Sequence, residues 1–176
     1  MTRISPHQVT FHTFDSPLGK ILIAIMNKRV CMTMIGNKKE VLEKEFLGKY
    51  PQARILSANK LHSSYHNSIL SFISGKLKVI KVPLILYGTS FQKTVWRELQ
   101  KIPYGKTSTY KEIAKRIGFP RAYRAVANAC AANSLALLIP CHRVIRSNGR
   151  LGGYRWGIAH KKMLLKLEKE HTEARL

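Results

Sequence analysis

The chain has 176 residues, 45% of them hydrophobic, so it can bury a core in one domain or in two small ones. Its 31 lysines and arginines against 9 acidic residues give a net charge of +22, which favours a polyanionic partner, most simply nucleic acid. Its three cysteines are odd in number and contain no CxxC pair, which argues against a disulfide framework and a zinc ribbon. No apolar stretch approaches the ~20 residues that a membrane-spanning helix needs. We therefore expect a cytoplasmic, nucleoid-associated protein without a membrane partner.

The first half of the chain is predicted to form an α/β scaffold domain over residues 1–87. Within residues 8–36, Val9 and Phe11 alternate with Thr10 and His12, and isoleucines recur two apart at positions 21, 23 and 25, as in strands. Turn residues interrupt this segment twice, so we expect a meander of about three strands. A helix, a strand, a second helix and a last strand are then expected at residues 38–50, 53–58, 60–76 and 82–87. Cys31, His62 and His66 do not have the spacing of metal ligands, and we predict no metal site.

The second half, residues 88–176, begins at a change of composition. Thr89-Ser90 supplies hydroxyl N-cap residues for a helix over residues 91–99, in which apolar positions recur every four residues. Ser108-Thr109 is expected to cap the next helix, over residues 110–117, and a third helix is expected over residues 122–132. Two helices joined by a short turn that contains glycine are typical of a helix-turn-helix, so this half is predicted to be mostly helical.

The third helix of this half contains six alanines and little bulk apart from Tyr123 and Val126. Alanine is the best helix former, so the composition fits a helix that packs closely on its neighbour. It also fits a helix whose small side chains let its backbone press deeply into a groove of DNA. Between Ile113 and Leu167 there is no acidic residue but there are eleven lysines and arginines, and we interpret this region as a DNA-facing surface.

The segment around Cys141 carries the strongest chemical signal. An apolar run ends at Pro140, because proline fixes its own φ, lacks an N–H and pushes the preceding residue to an extended conformation. Cys-His-Arg follows at residues 141–143, and nearby positive charge or a base is what produces a thiolate nucleophile near neutral pH. A buried cysteine that only packs is the alternative, but this combination of residues favours a nucleophile.

Residues 139–144, Ile-Pro-Cys-His-Arg-Val, resemble the active-site signature of the O6-alkylguanine-DNA alkyltransferases, also called methylated-DNA–protein-cysteine methyltransferases. The resemblance is dense over residues 91–170 and continues at the family's spacing through Tyr110, Arg124-Ala125-Val126, Asn133, Gly153-Tyr154 and Glu168. It implies an α/β, ribonuclease H-like N-terminal domain with a mixed or antiparallel sheet, followed by a mostly helical, winged-helix-like C-terminal domain with a helix-turn-helix. It also implies DNA repair by irreversible, stoichiometric transfer of an alkyl group, mainly methyl, from O6-alkylguanine and O4-alkylthymine in duplex DNA to Cys141, without a cofactor.

The resemblance also implies catalytic roles for residues around Cys141. His142 is expected to be the base, acting through a bound water, while Glu168 orients the histidine and Asn133 braces the active-site turn. Tyr110 is expected to crowd the target phosphate and to hydrogen-bond the flipped base. Arg124 is expected to enter the space that the base leaves. By charge and position alone, a simple phosphate contact is the alternative role for Arg124.

Further contacts to DNA and to the flipped base follow from the same resemblance. A monomer is expected to bind the minor groove of double-stranded DNA with little sequence preference, through Tyr110, Ala122, Arg124, Ala125 and Ser147. The expected base pocket contains Cys130, Val144, Tyr154, Arg155 and Trp156. Trp156 is expected to narrow this pocket and so to favour O6-methylguanine over bulky adducts.

Two other functions are compatible with parts of the sequence. A non-catalytic damage-binding protein of the alkyltransferase-like kind resembles the family but lacks the acceptor cysteine, so Cys141 argues against it. A thiol hydrolase that uses Cys141 and His142 would require turnover and an oxyanion hole, and it would leave the basic surface unexplained. Because nothing in the sequence could cleave a thioether, we expect each protein molecule to act once.

Overall fold

The computed structural model describes residues 9–55 and 60–174, and the chain divides into two compact units, Met1–Ile85 and Leu86–Leu176. The first unit is built around a four-stranded sheet, and the second is mostly helical. The predicted order of a sheet-containing half followed by a mostly helical half is therefore confirmed.

The sheet of the first unit is the predicted meander with one added strand. β1 (Val9–Ser16), β2 (Gly19–Met26) and β3 (Arg29–Gly36) pair antiparallel in chain order, and β4 (Arg54–Ile55) pairs parallel with β1. The strand order is therefore β3-β2-β1-β4. Between β2 and β3, Asn27-Lys28 has positive φ at both residues, which is the backbone of a two-residue hairpin turn.

Helices cover both faces of this sheet. α1 (Lys39–Lys49) packs against the face that carries Phe11, and α2 (Lys60–Ile73) packs against Phe14. Side chains at positions 11 and 14 point to opposite faces, because side chains alternate along a strand. Coverage of both faces explains why residues 21–26 of β2 are all buried instead of alternating between buried and exposed.

The prediction of a strand at residues 82–87 is wrong, because the structure has no regular strand there. There the backbone makes one parallel bridge, between Leu84 and Val30, in which the Val30 N–H donates to the Pro83 carbonyl and the Ile85 N–H donates to the Val30 carbonyl, both at 2.8 Å. Pro83 has no N–H to contribute to a ladder, so a regular strand does not continue through it. The strand predicted at residues 53–58 is present only as β4, and residues 56–59 lie outside the described part of the chain.

The second unit combines helices with a short parallel sheet. In chain order its elements are α3 (Ser90–Leu99), β5 (Ser108–Thr109), α4 (Tyr110–Arg116), α5 (Tyr123–Ala131), β6 (Val144–Ile145) and α6 (Ile158–Glu173). Thr89 and Thr109 begin α3 and α4 with capping boxes, as their hydroxyl side chains predicted. β5 pairs with β6, which brings the start of α4 beside the segment that follows Cys141.

α5 has a packed side and an exposed side. Ala129 and Cys130 are buried, and the Ala129 carbonyl accepts a 2.8 Å hydrogen bond from the indole N–H of Trp96 in α3. Ala131, on the other side, is exposed, and Ala125 is exposed at the edge between the two sides. The small side chains therefore permit close packing on one side and leave a low, accessible surface on the other, so both interpretations of the alanine-rich helix keep structural support.

Cys31 is a packing residue in the first unit. It is buried in β3, its thiol donates to the Ala24 carbonyl at 3.4 Å, and burial raises its pKa to about 12. Across residues 9–55 and 60–174, no three His, Cys, Asp or Glu side chains come together as a metal-binding group. Within the same ranges, no helix has both the length and the apolarity needed to cross a bilayer.

Candidate active site

Cys141 lies at the end of a buried segment, residues 135–141. Pro140 has φ −79° and ψ 57°, the geometry of an inverse γ-turn, and the Cys141 N–H donates to the carbonyl two residues earlier at 2.8 Å. Cys141–Arg143 then form a single 3-10 turn that leads into β6. Leu137 has φ 68°, which costs a bulky residue about 1–3 kcal/mol, so the surrounding packing has to hold this segment in place.

Asn133 ties Cys141 to the segment that precedes it. Its buried amide nitrogen donates to the Ile139 carbonyl at 3.0 Å and to the Cys141 Sγ at 3.1 Å. Its Oδ1 accepts from the Leu135 N–H at 2.9 Å. These three hydrogen bonds fix both ends of the buried segment relative to the thiol.

The surroundings of Cys141 do not ionise its thiol at neutral pH. Burial raises the pKa of Cys141 to about 11, and the hydrogen bond from Asn133 and the charge of Lys161 oppose this only in part. Arg143, which the sequence suggested as a positive charge beside the thiol, instead makes its charged hydrogen bonds to Glu168. A base is therefore needed to remove the thiol proton before Cys141 can react as a thiolate.

Glu168 is the centre of a buried hydrogen-bond network. Its Oε1 accepts from His142 Nε2 at 2.8 Å and from Arg143 Nη2 at 2.9 Å, and its Oε2 accepts from the Gly105 N–H at 3.0 Å. Burial favours the neutral acid, but the hydrogen bonds from His142 and Arg143 and the charge of the Arg143 guanidinium prevail and hold the pKa of Glu168 at about 2. Glycine is required at position 105, because its φ is 73° and a Cβ there would collide with Thr172.

His142 has the properties of a general base. Because the Glu168 carboxylate can only accept, His142 Nε2 carries the proton and Nδ1 keeps its lone pair. Nδ1 is buried, and no atom of the described residues hydrogen-bonds to it. Burial lowers the pKa of His142, and Glu168 opposes this only in part, so the imidazole is neutral at pH 7. A neutral imidazole oriented by a carboxylate is able to accept the proton of a nearby nucleophile.

Cys141 opens onto a cavity of about 330 Å³, which we call the first cavity. Of the residues predicted for the site, Tyr110, Cys130, Tyr154 and Arg155 line it together with Cys141. Ala127, Asn128, Ala131 and Gly153 complete its wall. Burial raises the pKa of Tyr110 to about 12 and that of Tyr154 well above its ordinary value, so both keep their hydroxyl protons. The buried Tyr154 hydroxyl has no hydrogen-bond partner among the described residues, so it is free to bond a ligand.

A second cavity, of about 490 Å³, adjoins the first. The two share Tyr110, Ala127 and Gly153, and the second is lined in addition by Lys111, Tyr123, Arg124, Arg146, Ser147 and Gly152. Gly152 has φ 71°, and a Cβ there would lie 2.9 Å from the Tyr110 hydroxyl, so glycine keeps this wall open. Among the predicted DNA contacts, Arg124 and Ser147 line the second cavity, whereas Ala122 and Ala125 line neither.

Comparison with known proteins identifies the family. The family model of the 6-O-methylguanine DNA methyltransferase DNA-binding domain matches residues 90–170. A methylated-DNA–protein-cysteine methyltransferase from Methanosarcina barkeri is 41% identical over 165 residues, which cover 92% of this chain and 98% of that protein. The chain belongs to the methylated-DNA–protein-cysteine methyltransferase family.

This chain matches half of one further relative and nearly all of another. The bifunctional transcriptional activator/DNA repair enzyme Ada of Escherichia coli is 38% identical over 165 residues, which cover 94% of this chain and 47% of that protein. The chain thus spans about half the length of the Ada relatives it matches. A crystal structure of Mycobacterium tuberculosis OGT in complex with DNA has a TM-score of 0.82 at 34% identity, covering 92% of this chain and 94% of that one.

Two residues expected in the base pocket of this methyltransferase-family chain do not line the first cavity. Val144 is buried in β6, and Trp156 packs edge to face against Tyr154 with ring centroids 5.3 Å apart. Trp156 therefore supports the cavity wall through Tyr154 and does not itself narrow the space. Conversely, the sequence interpretation missed Ala127, Asn128 and Ala131, although their spacing of three to four residues with Arg124 marks one face of α5.

Lys161 is a buried residue of the site that the sequence interpretation also missed. Its Nζ donates to the carbonyls of Val144 at 2.6 Å, of Leu151, and of Gly153 at 3.4 Å, so one ammonium joins both ends of the loop that follows Cys141. Burial lowers its pKa to about 8. A signal was present in the sequence, because Lys161 shares the buried face of α6 with Leu164 and Glu168 at helical spacing.

Replacing Lys161 with methionine is expected to slow the alkyl transfer proposed below by about ten- to a hundredfold, because the loop carbonyls lose their shared donor and the cavity wall shifts. The rate of methyl loss from a lesion-containing duplex and the hydrogen exchange of residues 144–153 measure the effect. Lys162→Met, at the exposed neighbouring position, is the matched control and is expected to leave both unchanged. Wild-type rate and exchange in Lys161→Met would contradict a clamping role.

Proposed function

We propose that this chain repairs DNA by moving an alkyl group, mainly methyl, from O6-alkylguanine in duplex DNA to the sulfur of Cys141. The observation that carries the proposal is a buried thiol that opens onto a cavity, beside a neutral histidine whose Nε2 is held by Glu168. Membership of a family whose relatives are named for methyl transfer to a cysteine supports it. The proposal includes O4-alkylthymine, which has the same oxygen–alkyl bond.

The proposed reaction needs only groups that the site contains. His142 Nδ1 takes the thiol proton, through a bridging water, and the Cys141 thiolate attacks the alkyl carbon. The carbon–oxygen bond breaks, its electron pair stays on the guanine, and the guanine takes up a proton, so the thiol proton is balanced by the one that the base gains. Glu168 stabilises the imidazolium that forms on the way. The thioether is not cleaved, so one protein molecule repairs one base and no cofactor is required.

The damaged nucleotide has to leave the duplex to reach Cys141, because its alkyl group lies within the base stack and the thiol is buried. We assign Tyr110, which lines both cavities, to the contact with the target phosphate and the flipped base. Arg124 is exposed at the second cavity, and we assign it to the space that the base leaves in the stack. The Tyr154 hydroxyl is assigned to an edge of the bound guanine.

We further propose that the minor groove of the DNA lies against the exposed side of α5. Ala131 is small and exposed there, and Ala125 is small and exposed at the edge of that side, which permits close approach of the helix backbone. The run without acidic residues between Ile113 and Leu167 supplies cations for phosphate contacts, and such contacts carry no base information, so little sequence preference follows. All groups assigned to the chemistry belong to Leu86–Leu176 of one chain, which fits action as a monomer.

The finer fold assignment is part of the same proposal. A ribonuclease H-like first domain, residues 1–87, is supported by the strand order β3-β2-β1-β4 with β4 parallel to β1. A winged-helix-like second domain, residues 88–176, is supported by α4 and α5, which are joined by a turn that contains Gly118 at positive φ, and by the β5–β6 pair.

A titration of the purified chain against a duplex with one O6-methylguanine tests the proposed function. The O6-methylguanine that remains after incubation is quantified by chromatography of hydrolysed DNA at increasing ratios of protein to DNA. We expect the loss to stop at one methyl group per protein molecule, and we expect Cys141→Ser to remove none while still binding the duplex. Turnover beyond one equivalent would indicate a hydrolase. Tight binding without methyl loss by the wild-type chain would indicate a damage-binding protein.

A further inference from the structure

Two histidines of the first unit lie side by side where α2 packs on the sheet. His12 of β1 and His66 of α2 have ring centroids 5.9 Å apart, and both side chains are half-buried. Phe14 lies against both, because its ring is stacked on that of His66 with centroids 3.9 Å apart and on that of His12 with centroids 5.8 Å apart. The three rings form one packed group between β1 and the first half of α2, which we call the histidine cluster.

The charges around the histidine cluster are mostly positive. β2 places only isoleucines opposite this part of β1, at positions 21, 23 and 25. β4 places Arg54 on the same face of the sheet as His12, because Arg54 pairs with Thr10. α1 contributes Lys39 and Glu43, whose charges act on His12. α2 carries one further histidine, at position 62, one helical turn before His66.

Glu43, the carboxylate among these groups, is already bonded elsewhere. Its Oε1 accepts from the Thr13 hydroxyl at 2.8 Å and lies 3.9 Å from Lys39 Nζ. Thr13 follows His12 in β1, so the two side chains lie on opposite faces of the sheet. Burial and Lys39 lower the pKa of His12, which Glu43 opposes only in part, and burial and His12 lower the pKa of His66. Both rings are therefore neutral at pH 7.

We propose that the histidine cluster is an acid-sensitive latch, which holds the first half of α2 on the sheet while both rings are neutral and releases it when both are protonated. Protonation of both rings places two positive charges about 6 Å apart, where they repel each other. The face of Phe14 attracts a cation, but the two imidazolium rings have to share this one ring. Movement of α2 away from β1 separates the charges and lets water solvate them.

The rest of α2 is held by contacts that do not change their charge in this pH range. Ile69, Phe72 and Ile73, in the second half of the helix, are buried in the core. Tyr65 donates its hydroxyl to the Lys28 carbonyl at 2.8 Å, and burial raises the pKa of this hydroxyl, so it keeps its proton. We therefore expect acid to open the first half of α2 and to leave the second half in place.

The direction of the pH effect follows from the two lowered pKa values. The unfolded chain binds protons at its histidines below about pH 6.5, whereas the folded cluster binds them only at lower pH. The stabilising contribution of the cluster is therefore complete above about pH 6.5, and it is lost as the pH falls through the folded-state pKa values of His12 and His66.

Hydrogen exchange of the full chain at pH 7.5 and pH 5.5, corrected for the intrinsic exchange rates, tests the latch. We expect the protection of amides 64–68 to fall roughly three- to tenfold at the lower pH relative to that of amides 71–73, as for two partly screened charges. His66→Leu keeps an apolar side chain against Phe14 but cannot be protonated, so it is expected to abolish this fall. His160→Gln, which changes a histidine of the second unit, is the matched control and is expected to retain it.

Proton NMR titration of the imidazole C–H signals measures the coupling between the two rings directly. In the wild-type chain we expect His12 and His66 to titrate below the ordinary range of histidine. In His12→Gln we expect the midpoint of His66 to rise, because the neighbouring charge is gone. Unchanged protection of amides 64–68 at pH 5.5 in the wild type, an equal fall in His66→Leu, or an unchanged His66 midpoint in His12→Gln would overturn the inference. No DNA enters these measurements, so they do not depend on the proposed function.

Discussion

Replacing Glu168 with alanine is expected to lower the free energy of unfolding by about 3–5 kcal/mol, which is the usual effect of removing one partner of a buried ion pair. Glu168 and Arg143 are both buried, and the guanidinium makes three hydrogen bonds to the carboxylate. Without Glu168 the charge of Arg143 has no counter-ion in the described site, and the Gly105 N–H loses its acceptor. Urea unfolding at pH 7, followed by circular dichroism, measures the change.

The pH dependence of stability gives a second test of the same network. The folded-state pKa of Glu168, about 2, lies below its ordinary value, so its stabilising contribution is complete above about pH 4.5 and is lost as the pH falls towards 2. Glu168→Gln keeps the shape of the side chain and is expected to lack this acid-dependent component. Glu170→Ala, which removes an exposed ion pair with Lys166, is the control and is expected to cost about 1 kcal/mol at most. Equal stability of Glu168→Ala and Glu170→Ala would contradict the assignment.

Replacing His142 with alanine is expected to slow methyl transfer at pH 7 by about a hundredfold to ten-thousandfold, the usual contribution of a general base. The reason is that burial holds the pKa of Cys141 at about 11, so without a base only a very small fraction of the thiol is ionised. Arg143 and Gly105 still bond Glu168 in this variant, so the fold is expected to persist. Single-turnover rates with excess protein measure the effect, and the unfolding transition confirms that the variant is folded.

The pH profile distinguishes a base from a packing residue. His142 has a lowered pKa, so the wild-type rate is expected to rise with pH only below about 6.5 and then to stay level. In His142→Ala the rate is expected to increase about tenfold per pH unit above 7, because it follows the thiolate fraction until the pKa of Cys141. His66→Ala, in the first unit, is expected to keep the wild-type profile. A level profile in His142→Ala would show that this histidine does not deprotonate the thiol.

Local sequence signals predicted the fold where short-range physics decides the structure. The hydroxyl caps at Thr89 and Thr109 and the alternation through residues 9–36 are such signals, and the corresponding helices and strands are present. The segment at residues 82–87 misled the same reasoning, because its short apolar run resembles a strand while Pro83 removes the donor that a ladder needs.

The candidate site was less predictable, because it is assembled from residues far apart in the chain. Adjacency in sequence suggested that Arg143 acts on the thiol, yet its side chain bonds Glu168, which lies 25 residues away. Lys161 was not identified, since its function depends on three loop carbonyls whose position follows from tertiary folding. Glu168 could be chosen over Glu170 only from family spacing, and burial is what distinguishes the two in the structure.

The most direct test of alkyl transfer to Cys141 is a mass measurement on the chain after incubation with excess O6-methylguanine duplex. We predict the addition of one methyl group to the intact protein, located by peptide mapping on the sulfur of Cys141. Cys130→Ala is the matched control, since Cys130 lines the same cavity, and it is expected to be methylated as the wild type is. A methyl group on Cys130, or an unmodified wild-type protein alongside intact lesion, would contradict the account.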